Sequence, residues 1–357
     1  MLRNIIPITS LDCSLNIPLK YKNLLHRLHE CSISRARGYG PMSTLRHVLE
    51  VVDVLEDPKV NGKIVKKFFE DKGLLEYMDI KIETIQSGKG STDFITIKIP
   101  GREGKSVGGK APTLGVVGRL GGVGVRPVQI GLVSDADGAI VALAVAYKIA
   151  EMKKRGDALP GDVIITTHVC PNAPTRPHHP VPMMDSPVDI FTLLKKEVTP
   201  EMDAVLSVDA TKANWVIKHT GFAITPTVKE GWILKVSPDL IDIYIRVTGE
   251  PPVIVPITMQ DIIPYSTPVY HLNSMMQPWL YIKAPVVGVA ITARMAIPGS
   301  ATGVTNVIAL EQATRFVVEV AKEFTAGRVK FYDEKEWEII MKIHGPVDRI
   351  LRAGAPP

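Results

Sequence analysis

Three positions in this chain stand where apolar runs stop, and each carries a side chain able to move a proton or hold a metal ion. Asp135, with Asp137 two residues on, follows Ile130-Gly131-Leu132-Val133-Ser134; His168 and Cys170 end the apolar run 163–167; Asp209 ends the run 204–208. Carboxylate, imidazole and thiolate are all ligands of zinc and similar divalent ions. Alternate residues of an extended segment face the same side, so His168 and Cys170 can act together. If the apolar runs are parallel strands, their carboxyl ends share one edge of a sheet, where open α/β folds keep ligand chemistry. Asp135, His168, Cys170 and Asp209 are therefore candidate ligands for zinc or another divalent metal. Arg119, Asp137, His178 and His179 are candidate contacts to a small-molecule or peptide-like ligand, Arg119 because a guanidinium holds a carboxylate or phosphate with two parallel hydrogen bonds.

Each of these residues also has a purely structural use. An aspartate before a helix caps it. A buried carboxylate at 209 needs a cation or donors, and Lys212 or Arg119 supplies that charge without any metal. Isolated histidines and cysteines pack as inert core residues.

The elements that must position these groups are legible from the apolar pattern. Residues 114–117 read as a buried strand between Pro112 and Gly118, followed by a glycine-rich turn, a second apolar strand leading to Val133, and a helix over 139–150. Lys153-Lys154-Arg155 closes that helix in accord with its dipole. Further buried strands are expected at 163–167, 204–208 and 286–292, and a helix at 188–197 opened by Ser186 and Pro187. A long amphipathic helix carries Ala313, Phe316, Val317, Val320, Ala321 and Phe324 on one face. Upstream, a basic helix is expected near 21–29, helices from Ser43 and over 62–72, and a hairpin across Ser87-Gly88-Lys89-Gly90-Ser91. The whole reads as one α/β domain over 1–357, three-layered about a mostly parallel sheet: a mostly helical segment 1–77, the sheet core 78–325 and a helical tail 326–357.

Two nucleotide motifs fail on inspection. Gly104-Lys105-Ser106 ends like a phosphate-cradling loop, but the required glycine five residues earlier is Ile99; Gly122 and Gly124 begin a dinucleotide fingerprint whose third glycine is Pro127. No nucleotide cofactor is expected. With 42 Lys and Arg against 37 Asp and Glu in 357 residues, and the basic residues scattered, a nucleic-acid partner is not expected either. The three cysteines, Cys13, Cys31 and Cys170, form no paired motif and suit a reducing cytoplasm; no apolar run is long enough to span a bilayer.

From Thr113 to Phe324 the chain resembles the catalytic domain of the dinuclear zinc aminopeptidases, the co-catalytic metallopeptidases. Ser134-Asp135-Ala136-Asp137-Gly138 matches that family's bridging-aspartate turn, and Leu206-Ser207-Val208-Asp209 its later aspartate. Arg119-Leu120-Gly121 stands where the family has His-x-Asp, His168-Val169-Cys170 where it has paired glutamates, and Ala296-Ile297-Pro298 where a late histidine falls. Over its whole length the chain more closely resembles a bacterial and archaeal family classed as a domain of unknown function, through Ile130–Gly138 and Pro298-Gly299-Ser300-Ala301-Thr302-Gly303. The resemblances imply an aminopeptidase-like fold with a degenerate metal site. Three functions remain open: a metal-dependent hydrolase of peptide- or amide-like substrates with a rebuilt site; a metal-free binder of a small anion through Arg119; and a structural subunit of a homo-oligomer.

Overall fold

The computed structural model describes residues 43–119, 123–125, 131–179, 181–264, 269–271, 274–297 and 301–347. The chain divides into two units, Met1–Ser43 and Thr44–Pro357, and every helix and strand among the described residues belongs to the second. The basic helix expected at 21–29 lies outside the described residues.

Two helices lead in, α1 (Thr44–Glu56) and α2 (Gly62–Asp71), the latter capped by the Asn61 side chain accepting from the Ile64 N–H. The hairpin β1 (Asp79–Ser87) and β2 (Gly90–Ile99) comes next. The core then alternates: β3 (Leu114–Gly118), α3 (Asp137–Lys154), β4 (Val163–Val169), a two-stranded hairpin of β5 (Thr175–Arg176) and β6 (Met183–Met184), α4 (Ile190–Glu197) and β7 (Ala204–Ala210). After it come β8 (Gly221–Ile224), β9 (Val228–Lys229), β10 (Trp232–Ile233), α5 (Pro238–Thr248), the short α6 (Met259–Ile262), β11 (Val286–Thr292), α7 (Val307–Thr325) and α8 (Glu334–Ile343).

The main sheet runs in the order β1-β2-β4-β3-β7-β11-β9-β10, with β8 also on β11. Its centre, β4-β3-β7-β11, is parallel, while both flanks are antiparallel. Parallel strands need cover on both faces, and the burial shows it: every residue of β3, β4 and β11 is buried. Helices α1, α3, α5 and α7 pack on one side. On the other, Val117, Ile164, Val205 and Ala290 meet Leu194, Met275 and Trp279 in a second apolar layer. The expected three-layer α/β class with parallel strands at its centre is what the chain forms.

The middle of the fold depends on two glycines placed back to back. A Cβ on Gly118 would lie 2.4 Å from the Gly138 carbonyl oxygen, and one on Gly138 would lie 2.4 Å from that of Arg119. With no side chains there, the first turn of α3 presses directly onto the end of β3. Small residues continue the contact, since 139–146 are buried all round.

Several local expectations need correction. The second apolar strand before Val133 does not form among the described residues: 126–130 lie outside them, Leu132 and Val133 are not in a strand, and Val125 makes a single bridge to Asn172. Helix α4 starts at Ile190 rather than 188, because Asp189 caps it by accepting from the Thr192 N–H at 2.9 Å. Ser186 instead accepts from the Val188 N–H in the approach to the helix. The Gly104-Lys105-Ser106 loop wraps a carboxylate of its own: Asp162 accepts from the Gly101 and Ser106 N–H groups at 2.9 and 2.8 Å. No helix among the described residues is long and apolar enough to cross a membrane.

Candidate functional site

The strand ends deliver charge to the carboxyl edge of the sheet, as their sequence suggested. Arg119 follows β3 directly, His168 is the penultimate residue of β4, and Asp209 stands near the end of β7. Asp135 sits in a 3-10 turn, Ser134–Ala136, and Asp137 is the first residue of α3. All five are buried.

Alternation along the strands sorts them onto two levels. Val117, Ile164 and Val205 belong to the apolar layer under α4, so Arg119, His168 and Asp209, each at an even offset from one of these, face that layer too. Arg119 is wholly enclosed there, with one guanidinium nitrogen 3.5 Å from the Glu197 carboxylate at the end of α4. Among the described residues its nitrogens have no hydrogen-bond acceptor. Beside it, Asp209 accepts a long 3.4 Å hydrogen bond from Ser274 on one oxygen, while its other oxygen has no donor among the described residues. Burial pushes the Asp209 carboxyl up to about 7, Arg119 pulling the other way. Burial pushes Glu197 up as well, again against Arg119.

On the α3 side a second cation answers a second acid. Lys212, just past β7, is buried in contact with Asp137. Burial raises the Asp137 carboxyl to about 6, with Lys212 and Thr305 drawing it down. Lys212 also donates to the Val304 carbonyl, and its own carbonyl accepts from Ile297 at 2.9 Å. Thr302 is bound in turn, its carbonyl accepting from the Ser134 N–H at 2.7 Å. The segment 301–306 is thereby held across the edge, beside the acids.

Asp135 is left between the two levels. It is the acid with most solvent contact, 8% exposed against 2% for Asp209 and none for Asp137. Burial first, then the neighbouring Asp209 and Asp137 charges, push its carboxyl well above the usual range, while Lys212 and Arg119 oppose them.

The other expected site residues do not join the acids. His168 stacks on Phe94, ring centroids 6.4 Å apart, and burial with the Arg119 charge lowers it to about 4, so the imidazole is neutral at pH 7. Cys170 packs in an apolar cluster with Val125, Val133, Ala173, Met184 and Ala301, its thiol pushed up by burial. His178 and His179 are exposed in the β5–β6 hairpin, with His178 Nδ1 3.1 Å from the Val181 carbonyl oxygen.

These residues do not make a preformed metal shell. Among the described residues no group of three or more His, Cys, Asp or Glu side chains is placed to hold a metal ion. Asp137 is neutralised by Lys212, and a guanidinium occupies the end of β3. Lys212 and Glu197 complete the charge pattern, and the Thr305 hydroxyl lies against Asp137. Lys212 was legible as a counter-charge, though for Asp209; Glu197 and Thr305 carried no signal in the sequence, because their partners are remote.

Residues 83–354 match the family described as Protein of unknown function (DUF1177), and the chain belongs to that family. No curated protein matches it. Among solved structures it is similar to the LapA aminopeptidase of Legionella pneumophila, at 11% identity and a TM-score of 0.49, covering 91% of this chain and 80% of that one. It is also similar to a glutaminyl cyclase from an Acidobacteriales bacterium, at 10% identity and a TM-score of 0.47, covering 81% and 98%. A third is the glutaminyl cyclase of Macrostomum lignano, at 12% identity and a TM-score of 0.41, covering 81% and 91%.

Proposed function

We propose that the carboxyl edge of the sheet in this family member is the active site of a hydrolase for a small peptide- or amide-like substrate, with Asp135 and Asp209 as its acid–base pair. The observation that carries the reading is the placement of these two carboxyls. They are buried at one sheet edge, they act on each other electrostatically, and among the described residues neither is committed to an ion pair, unlike Asp137 and Glu197. The same two aspartates are the positions at which the sequence resembles the zinc aminopeptidases.

Amide cleavage needs a base to take a proton from water and an acid to protonate the departing nitrogen. Environments that push two carboxyls upward by different amounts divide those roles. Asp209, near 7, accepts the proton of the attacking water, whose oxygen bonds to the carbonyl carbon. Asp135, raised by burial and by its acidic neighbours, delivers its proton to the nitrogen as the C–N bond breaks. Arg119 and Lys212 hold the remaining charge in balance. No step is assigned to a metal, since the residues do not fit one.

The test is turnover of a panel of aminoacyl anilides and dipeptide amides by the wild type, Asp135→Asn and Asp209→Asn, each with chelator and with added zinc. Turnover that survives chelation and falls by roughly 100-fold or more in either variant is the expected result. Turnover only with zinc would replace the acid–base assignment with a metal-dependent one. A folded wild type inert in every arm, or variants as fast as wild type, would end the hydrolase reading.

A further inference from the structure

We infer that a polar cleft bounded by Lys218, His219, Arg294 and Gln312 is a second binding site, specific for a small anion of carboxylate or phosphate type. The cleft has a volume of about 300 Å³ and is completed by Thr220, Tyr244, Thr248 and Glu250. It lies on the flank of the sheet, where β8 begins, β11 ends and α5 faces α7. None of its residues belongs to the acid cluster.

Its polar groups divide into those the fold uses and those it leaves over. The Tyr244 hydroxyl donates to the Phe222 carbonyl at 2.9 Å, and the Thr248 hydroxyl to the Tyr244 carbonyl at 2.8 Å. Among the described residues Lys218 gives one hydrogen bond, to the Asn214 carbonyl at 3.2 Å, and keeps its other N–H groups. Among the described residues, Arg294 makes no ion pair or hydrogen bond, and Glu250 pairs with neither cation. Two permanent cations and one carboxylate therefore face a cleft too small for a folded partner, leaving net positive charge.

The cleft is also shaped. Gly221 has φ +142, and a Cβ there would lie 2.8 Å from His219 Nε2 and 3.2 Å from Gln312 Oε1. The absent side chain is what lets both the imidazole and the amide lie close over the backbone at Gly221. Burial lowers His219 below its usual value, with Glu250 and Arg294 pulling in opposite directions, so the ring enters as a neutral hydrogen-bonding group. A guanidinium that can grip two oxygens, an ammonium with free donors and two neutral hydrogen-bonding groups suit a compact anion with several oxygens. The volume sits at the small end for ligand sites.

Arg294 also connects the cleft to the candidate active site along the chain, because Ile297, three residues on, donates to the Lys212 carbonyl.

Calorimetric titration of the full chain with inorganic phosphate and, separately, with citrate at low ionic strength tests the inference. One saturable site is expected in at least one arm, and the tighter arm assigns phosphate or carboxylate. Arg294→Gln and Lys218→Gln, both at exposed positions, should each weaken binding about tenfold or more. Glu250→Gln should tighten it. Asp209→Asn should bind as wild type does, which separates this site from the acid pair. No saturable binding of either ion, or affinity unchanged in both cation variants while their unfolding curves show intact folds, would overturn the inference.

Discussion

The Arg119 guanidinium and the Glu197 carboxylate face each other at 3.5 Å with both side chains enclosed by the fold. Neither ion is tolerable alone at that depth, and removing one partner of such a pair costs about 3–5 kcal/mol. Arg119→Met should lower unfolding stability by that amount, as should Glu197→Met. The double variant should recover much of the loss, because apolar side chains suit the layer under α4. Denaturant unfolding of the four proteins measures the coupling; strictly additive losses would show that the two charges do not depend on each other.

Asp209 gives a pH signature. Its carboxyl stands at about 7 in the folded protein against an ordinary value of 3.8, raised by burial. A raised carboxyl contributes stability that is whole below the unfolded value and is lost as pH rises through the folded one. Asp209→Asn cannot ionise, so its stability should fall less than that of wild type between about pH 4 and pH 8. Thermal unfolding across that window checks it, and parallel curves would refute the assignment. If Asp209 is the proposed base, the variant should gain relative stability while losing turnover, the trade-off expected of a group held for chemistry.

Gly138→Ala should be strongly destabilising. The new methyl would lie 2.4 Å from the Arg119 carbonyl oxygen and 2.7 Å from that of Val208, both backbone atoms with nowhere to go. Forced overpacking of this kind costs about 1–3 kcal/mol, occasionally more. An unchanged melting temperature would mean that α3 can back away from the sheet.

Acid should weaken the contact between α1 and α3. Glu151 accepts from Arg46 at 3.1 Å and lies 2.8 Å from the buried His47 ring. Burial raises its carboxyl, but His47, Arg46 and Arg155 more than offset this, leaving it below the usual value. A lowered carboxyl stabilises above its unfolded value, and the benefit is lost as pH falls through the folded one. The advantage of wild type over Glu151→Gln in urea unfolding should therefore be full at pH 7 and shrink below about pH 4.5. An advantage that is the same at both would place the stabilisation elsewhere.

The buried strands were legible because a parallel strand covered on both faces must be apolar throughout: 114–117, 163–167, 204–208 and 286–292 all lie within observed strands. The acids and cations at their ends were legible for the same reason, since polarity resumes where cover stops. What could not be read was the pairing. Lys212 lies close in sequence to Asp209 yet reaches Asp137, while Arg119 turns to Glu197. Those choices depend on which face each strand end presents, and that is fixed by packing across the sheet. Cys170 illustrates the limit differently: it comes after His168 at strand spacing, but the strand stops at Val169 and the thiol joins an apolar cluster instead.

The position of Lys212 has a kinetic consequence. One ammonium group gathers the start of α3 and the segment at Val304, the latter 92 residues away along the chain. Contacts of such long separation form late, after the loops between them have closed. The parallel pairing of β3 with β7 joins segments just as remote in sequence, so a refolding chain should set the acids in their final places only as the sheet itself closes.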